Sequence, residues 1–415
     1  MLNANRRCGR GIASLALAST FMLLGARPAG AIECTELPNP LYFPATTLLE
    51  SLLAEVGPVL ADPALGDDQM TVVHLPLSSC ISYDIHREQM PLTGTGVYYL
   101  PDGTQEVCDL PTGAMEIRSD LSAMDVGGVT CLGGETPPSE LVEFPSHVET
   151  LGFVVPRNSS QVAITATEAY YLMKFAGEPD FQVAPWTDPN FIFVRNPGSS
   201  TQLTIGANIG IPGTMWNGSL TGHQGSSDVR DAVIAQNATG NAESVIAILN
   251  SSKWEPALND MKVLAFQPFN NCLGAVFPDS TSTARDKRNV RDGHYPLWTN
   301  LRYIVRTDGS GTTISDNGPE AAARADRFIE LLTGVESIDP LNVAEAVIKT
   351  GNIPTCAMHV ARDVDGGPIS SYEHPAPCEC FFLEQNGVDS GCATCSDDSE
   401  CGGGGSCSFG YCEAS

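Results

Sequence analysis

The sequence predicts an α/β fold with largely parallel sheets, because short apolar runs alternate with segments of helical periodicity. The runs TVVHL (71–75), FIFV (191–194) and KVLAF (262–266) suit buried strands. Between the N-terminal leader and a cysteine-rich end lie about 350 residues, which is too many for one simple core. We therefore expect two lobes.

The helices between these strands are predicted from their start signals. Two starts carry a capping box, in which a threonine is followed three residues later by a glutamate. Two others place proline at the first helical position and end in glycine. These starts are Thr47 with Glu50, Thr165 with Glu168, Pro319, and Pro340.

Residues 1–31 are predicted to be a cleaved signal peptide. Arg6, Arg7 and Arg10 precede an apolar run too short to span a bilayer, and AGA at 29–31 supplies small residues for cleavage. No later run of about 18 apolar residues follows, so no membrane insertion is expected after cleavage. The predicted location is periplasmic or extracellular.

The charge of the chain excludes two classes of partner. The formal net charge is −27, and the leader contains four arginines and no acids, so the exported chain would be still more acidic. Such a field repels nucleic acid and anionic membranes. A buried anion site remains possible, because hydroxyls, backbone amides and one arginine act at contact distance.

Cysteine usage agrees with export. Thirteen of the fourteen cysteines follow the leader, and five of them lie in the polar, glycine-rich segment 386–415. A segment this poor in apolar residues needs disulfides to hold it, so it is predicted to be a separate knot or tether. The odd count leaves one thiol unpaired or an intermolecular bridge. Zinc at Cys392 and Cys395 is disfavoured, because no second pair or histidine lies nearby.

No motif for catalysis is found. The chain lacks G-x-S-x-G, H-E-x-x-H and G-K-[ST], and its seven histidines are scattered, with His294 and His359 interpreted as polar surface or capping residues. We therefore expect a non-catalytic binding protein without cofactor or metal.

Clusters of hydroxyl residues follow predicted strands or begin helices, where ligand sites of α/β proteins form. The strongest is FVRNPGSSTQ (193–202), in which a helix beginning near Ser199 would direct free amides and hydroxyls toward an anion beside Arg195. A strand competes here, because apolar residues alternate from Leu203 to Ile209. The candidate anion-binding residues are Thr46, Thr47, Ser78, Ser79, Ser119, Asp120, Arg195, Ser199, Ser200 and Thr201.

Four of these stretches together resemble the periplasmic phosphate-binding component of phosphate ABC transporters, a type II periplasmic substrate-binding protein. They are FVRNPGSSTQ, NPLYFPATTLLESLL (39–53), EIRSDLSA (116–123) and RDGHYPLW (291–298). The chain departs from the family pattern in three places. The opening loop reads Pro-Ala-Thr-Thr (44–47) where glycine-serine is usual, LSSC (77–80) lacks the expected glycine, and Ser200 replaces a glycine.

The resemblance implies a two-lobed fold with a ligand cleft between the lobes, phosphate as ligand, and a membrane ABC permease as partner. It also implies that Asp120 accepts the proton of the ligand. The expected lobe one is 32–152 with 300–385, lobe two is 153–299, and the chain crosses near 148–156 and 296–303. Alternatives are a scaffold with a lost or changed ligand that acts in adhesion, and a secreted phosphatase.

Overall fold

A computed structural model describes residues 32–113, 116–219, 225–269, 272, 274–402 and 405–413. The predicted signal peptide lies outside the described residues. The strands are β1 (Ile32–Glu33), β2 (Pro40–Thr46), β3 (Thr71–Leu77), β4 (Thr95–Tyr99), β5 (Gln105–Asp109), β6 (Ser122–Met124), β7 (Leu141–Pro156), β8 (Ala163–Thr165), β9 (Ile192–Phe193), β10 (Ile246–Asn250), β11 (Met261–Val263), β12 (Ala265–Gln267), β13 (Trp298–Thr307), β14 (Thr313–Ile314), β15 (Val360–Ala361), β16 (Ser370–Ser371), β17 (Ser406–Ser408) and β18 (Tyr411–Glu413).

The helices alternate with these strands through much of the chain. They are α1 (Glu50–Leu60), α2 (Ser79–Arg87), α3 (Gly128–Cys131), α4 (Ala166–Lys174), α5 (Ser200–Ile209), α6 (Ser226–Ala235), α7 (Ser251–Trp254), α8 (Arg288–Arg291), α9 (Pro319–Leu332), α10 (Val343–Lys349) and α11 (Glu379–Gln385). The predicted α/β class is confirmed.

The main sheet is mixed rather than largely parallel. Its order is β1-β5-β4-β3-β2-β6-β13-β7-β10-β9, with β11 and β14 pairing at β7 and β13. Strand β2 is parallel to both β3 and β6, whereas β7 and β13 run antiparallel to each other and to most of their neighbours. The expectation of largely parallel sheets was wrong here, because two long antiparallel strands join the parallel groups.

Hydrophobic side chains form two principal cores. One lies around β2, β6, α1 and α9, where Phe43, Tyr303 and Phe328 make edge-to-face contacts. The other contains Phe153 and Ile205 and lies around the second half of β7, β10 and α5. Two cores are what a two-lobed chain requires, while the residue boundaries of the lobes stay a proposal.

Two of the predicted helix starts differ from the structure. Thr46, not Thr47, caps the turn before α1 by accepting a hydrogen bond from the amide of Leu48. Helix α10 begins after Asn342, whose side chain accepts from the amide of Glu345, so proline 340 is not its first residue. The capping box of Thr165 with Glu168 and the start of α9 at Pro319 are confirmed.

The cysteine-rich end is held by disulfides, as predicted, but it is attached to the body rather than separate. Three bridges staple it, namely Cys380–Cys392, Cys395–Cys407 and Cys401–Cys412. The carboxylate of Glu413 accepts hydrogen bonds from the amides of Cys380 and Phe381 at the start of α11. In the described part of the chain, Cys272 is the free and exposed thiol.

Two ionic clusters fix the region around α8. Lys287 is 4% exposed and pairs with Asp279, at 3.2 Å, and with Glu255. Nearby, Glu379 bonds Arg291 at 2.8 Å and the Nε2 of His359 at 3.3 Å. The hydrogen bond from His359, with help from the charge of Arg291, lowers the pKa of Glu379 to about 2.

Candidate functional site

Three neighbouring parallel strands end at the same edge of the sheet. Strand β2 ends at Thr46, β3 ends just before Ser78 and Ser79, and β6 ends just before Asp125. The carboxyl ends of parallel strands are where α/β proteins gather their ligand groups. The backbone therefore brings three hydroxyls and one carboxylate to a common edge.

Helix α5 faces this edge from the other core. The N-cap of α5 is Ser199. The amide of Ser199 donates to the carbonyl of Asn196, and the side chain of Ser199 makes no capping hydrogen bond. The first amides of a helix have no acceptor within the helix and favour an anion. The helix predicted from FVRNPGSSTQ is thus confirmed over the competing strand.

A small pocket lies between these elements. It is lined by Thr46, Thr47, Leu48, Ser78, Ser79, Arg195, Ser199 and Ser200. Its cavity volume is about 10 Å³, which is close to the space that one water molecule needs. Seven of the ten residues proposed from the sequence therefore meet around one small cavity.

Arg195 supplies the positive charge of the pocket. It is 5% exposed, its guanidinium donates to the hydroxyl of Ser226, and its amide donates to the side chain of Gln202 at 3.0 Å. Burial lowers the pKa of Arg195 to about 10, against the opposing charges of Asp125 and Asp228. The guanidinium therefore stays protonated near neutral pH.

Asp125 supplies a fully buried carboxylate beside the pocket. One oxygen accepts a hydrogen bond from Ser79 at 2.7 Å, and the other accepts from Ser200. Burial raises the pKa of Asp125, and hydrogen bonds from Ser200, Ser79 and Thr46 oppose that rise. One side chain thus joins α2, α5 and the end of β2.

Ser119 and Asp120, which were expected at this site, do not line the pocket. The strand of this segment is β6, which lies after them rather than before them. The hydroxyl of Ser119 lies 2.7 Å from the Nδ1 of His86, and Asp120 accepts from the amide of Tyr42 at 2.8 Å and from Ser315 at 2.6 Å. Both are buried groups that bind their own structural neighbours.

Thr201, the last of the ten candidate residues, also lies beside the pocket rather than on its wall. It occupies the first turn of α5 and is fully buried, and its hydroxyl has no hydrogen-bond partner among the described residues.

Sequence reasoning missed two buried acids at this site. Asp125 directly follows the short run LSAM (121–124), which is the signal that could have located it. Glu149 of β7 is fully buried, and burial together with the nearby Asp125 raises its pKa well above the usual range, against the charge of Lys253. In this low-dielectric surrounding, burial disfavours the charged form of Glu149.

A loop near the C-terminal end of the body fixes the segment after Asp125. Asp365 accepts from the amide of Gly127 at 2.7 Å and from the hydroxyl of Thr130 at 2.6 Å, and it pairs with Arg302 at 3.3 Å. Because these bonds hold the chain on one side of Asp125, they limit the positions its carboxylate can adopt.

The described residues offer no free metal-ligand set. The group of His, Cys, Asp or Glu atoms close enough to share an ion is Cys395, Cys401 and Cys412, and all three are in disulfides. A sulfur in a disulfide is not a thiolate, the form that binds zinc.

Comparison with known proteins finds likeness in solved structures only. No family model and no curated protein matches the chain. Its structure is similar to that of a putative phosphate ABC transporter substrate-binding protein with bound phosphate from Clostridium perfringens, with 10% identity, 76% of this chain and 100% of that chain covered, and a TM-score of 0.47. It is also similar to an ABC-type phosphate transport receptor from Vibrio cholerae, with 12% identity, 75% and 99% covered, and a TM-score of 0.42.

A regulatory domain belongs to the same set of similar structures. It is the reduced form of the OxyR regulatory domain from Pseudomonas aeruginosa, with 11% identity, 71% of this chain and 99% of that chain covered, and a TM-score of 0.38. At these identities and TM-scores, the similar structures assign no function to this chain. No helix within the described ranges is long and apolar enough to cross a membrane.

Proposed function

We propose that this protein binds a small tetrahedral oxyanion, and specifically protonated inorganic phosphate, in the pocket at the start of α5. The observation that carries the proposal is the meeting of buried Arg195 and several hydroxyls around one cavity, with buried Asp125 hydrogen-bonded to two of those hydroxyls. Charge-assisted hydrogen bonds from a guanidinium and from a helix N-terminus are the strongest that a protein offers to an anion.

In this proposal Asp125, rather than Asp120, is the carboxylate that accepts a hydrogen bond from the ligand. Protonated phosphate can donate a hydrogen bond to a carboxylate, whereas sulfate, which carries no proton near neutral pH, would place two acceptors against each other. Asp125 is positioned for this contact because its two oxygens already accept from Ser79 and Ser200 on the pocket wall.

Binding must involve opening of the pocket. Its volume of about 10 Å³ admits roughly one water molecule, so a tetrahedral anion needs its walls to separate. Under the proposed lobe boundaries, Thr46, Ser79 and Asp125 belong to lobe one, and Arg195 and Ser200 belong to lobe two. An anion bound to both sides would therefore couple binding to closure of the lobes.

The remaining parts of the proposal follow from this role. The protein is non-catalytic, acts outside the cytoplasm after removal of residues 1–31, and delivers its ligand to a membrane ABC permease. The acidic surface is compatible with anion capture, because the interactions in the buried pocket act at contact distance and are screened little by salt.

Calorimetric titration with phosphate tests the proposal, with sulfate as the second anion. The protein is first unfolded and refolded in phosphate-free buffer with its disulfides intact, so that retained ligand is removed. We expect one phosphate per chain and rejection of sulfate. If titration of the folded protein with phosphate gives no heat of binding, the proposal is wrong.

Arginine variants locate the binding. Arg195→Ala should weaken phosphate binding by at least tenfold, since a hydrogen bond to a charged group contributes about 1.5–3 kcal/mol. Arg87→Ala is the matched control. Arg87 lies on α2, and its ion pairs are with the neighbouring acids Asp84 and Glu88, at 3.0 and 2.8 Å. Equal affinity of the folded Arg195→Ala protein and the control would remove Arg195 from the site.

A further inference from the structure

A second and much larger pocket lies where the body meets the cysteine-rich end. Its cavity volume is about 410 Å³, within the range of pockets that hold small organic ligands. It is bounded by the end of α9, by α10, by β7 and by residues 374, 376 and 409 of the C-terminal region. None of the residues proposed for anion binding lines it.

His147 of β7 lies on the wall of this pocket with its hydrogen-bonding capacity unused. Its side chain is 2% exposed, and both ring nitrogens lack a partner among the described residues. A buried polar atom without a partner is costly, and nearly all such atoms in folded proteins are paired. The ring of His147 borders the cavity, but both nitrogens have almost no accessible surface, so a ligand there supplies the missing partner only when the ring turns toward it.

The backbone at His147 is also irregular. Strand β7 pairs Pro145 with Arg302 and Val148 with Asn300, so two residues of β7 stand opposite Leu301 alone. This is a β-bulge, a feature that redirects a side chain and that gathers next to functional sites. The irregular backbone is a second observation, separate from the unpaired nitrogens, at the same residue.

Three other polar side chains that line the pocket already have partners. The hydroxyl of Ser146 donates to the carbonyl of Leu332, the hydroxyl of Thr333 donates to Ile329, and the ring of His374 bonds the backbone of Ala376. His147 therefore differs from these three neighbours, whose side chains need no ligand.

The remaining wall selects the chemical class of ligand. Much of it is apolar, with Leu341, Val347 and Phe409 among its residues, while Glu336 and Asp339 lie on an exposed loop at its rim. Apolar walls favour an apolar body, and the acidic rim disfavours an anion. Burial lowers the pKa of His147 to about 3, so the neutral ring offers one N–H donor and one nitrogen acceptor.

We propose that this pocket binds a neutral, mainly apolar small molecule whose hydroxyl group hydrogen-bonds to His147. A hydroxyl can donate or accept, so it can pair with either tautomer of the ring. The ligand is a phenol-like or alcohol-like compound, and its binding is independent of the anion pocket.

The test uses 2-naphthol as probe and naphthalene as the matched compound without a hydroxyl. Titration of the disulfide-intact protein, labelled with ¹⁵N-histidine, should show saturable binding of 2-naphthol, tighter than that of naphthalene. The ring ¹⁵N signals of His147, identified by their loss in His147→Phe, should shift as the probe saturates the pocket.

Two variants distinguish the contribution of the hydrogen bond to binding from that of the cavity. His147→Phe keeps an aromatic ring and should weaken 2-naphthol binding about fivefold or more, with naphthalene changed little, because one net hydrogen bond is lost. Ala344→Phe places a large ring in the cavity and should abolish binding of both compounds. Phosphate titration of both variants should match the unmodified protein.

Three results would overturn the proposal. They are no saturable binding of 2-naphthol, equal affinity for 2-naphthol and naphthalene, and binding in Ala344→Phe that equals the unmodified protein. If His147→Phe does not fold, the comparison of the two compounds and the Ala344→Phe variant still decide the outcome.

Discussion

Asp125→Asn should reduce the discrimination between phosphate and sulfate without unfolding the protein. The substitution keeps the size of the side chain and one acceptor oxygen, and replaces the other oxygen with an N–H donor. Asparagine can therefore accept from protonated phosphate and donate to sulfate, whereas the carboxylate at Asp125 can only accept.

The expected magnitude follows from the two acceptors that sulfate leaves facing each other in the unmodified site. An unsatisfied buried acceptor costs about 1–3 kcal/mol, and more when charged, so two of them amount to roughly 2–6 kcal/mol. Each 1.4 kcal/mol is tenfold in affinity. The substitution removes a negative charge near Arg195 as well, which favours both anions and largely cancels in the ratio. The phosphate-to-sulfate affinity ratio should therefore fall by at least tenfold.

The assay is calorimetric titration of each variant with both anions, and Asp120→Asn is the matched control. Asp120 is equally buried and lies five residues earlier in the same segment, but it bonds Tyr42 and Ser315 outside the pocket. Asp120→Asn should destabilise the fold and leave the ratio unchanged. A ratio that changes in Asp120→Asn, or that stays constant in a folded Asp125→Asn protein, would refute the assignment of Asp125.

Two further predictions concern stability, each measured by urea unfolding. Lys287→Met should lower the free energy of unfolding by about 3–5 kcal/mol, because it leaves buried Asp279 without its charge partner, whereas Glu255 keeps Arg285 at 3.5 Å. The surface control Arg87→Met should change it by less than about 1 kcal/mol, and similar effects of the two would contradict the buried pairing. Glu379→Gln should cost at most about 1 kcal/mol near pH 6, given the partial exposure of the pair. Since partners hold the pKa of Glu379 at about 2, its contribution is present above its unfolded value of about 4.3 and is lost as pH falls toward 2. The pKa of His359 is raised, so the contribution of His359 to stability is lost as the pH rises through that raised pKa. A stability difference between Glu379→Gln and the unmodified protein that grows on acidification would contradict this pairing.

The fold class and most of the residues around the pocket proposed for the anion follow from the sequence because their signals are local. A hydroxyl cluster directly after an apolar run marks the end of a strand or the start of a helix, and such ends meet at one edge of an α/β sheet. That logic located Thr46, Ser79 and Ser200. It also located Arg195, since the charge stands two residues after β9 and five before α5.

The identity of the buried carboxylate could not be obtained in this way. The segment RSDLSAMD (118–125) contains two aspartates, and each lies next to an apolar residue. The strand between them is three residues long, which is too short for a period-two pattern to fix its position. The choice of Asp125 depends on hydrogen bonds to Ser79 and Ser200, which are distant in sequence.

The alternation in α5 misled for a related physical reason. An exposed strand and an amphipathic helix differ in their apolar period, but a helix buried on several sides has no polar face to show that period. Thr201, Thr204, Ile205 and Ile209 are all fully buried. The turn before the helix, and not its interior, was therefore the informative part of the sequence.

The position of Asp125 sets a balance between closing the pocket and filling it. Its two oxygens bond Ser79 and Ser200, which lie on opposite sides of the cleft under the proposed lobe boundaries, so the carboxylate stabilises the closed pocket by itself. An entering anion must compete for these hydroxyls, and the affinity it reaches is the surplus of its new hydrogen bonds over those it replaces. Phosphate can return one bond to Asp125 through its own proton, whereas sulfate cannot. The contact that closes the pocket is therefore also the one that would separate the two anions.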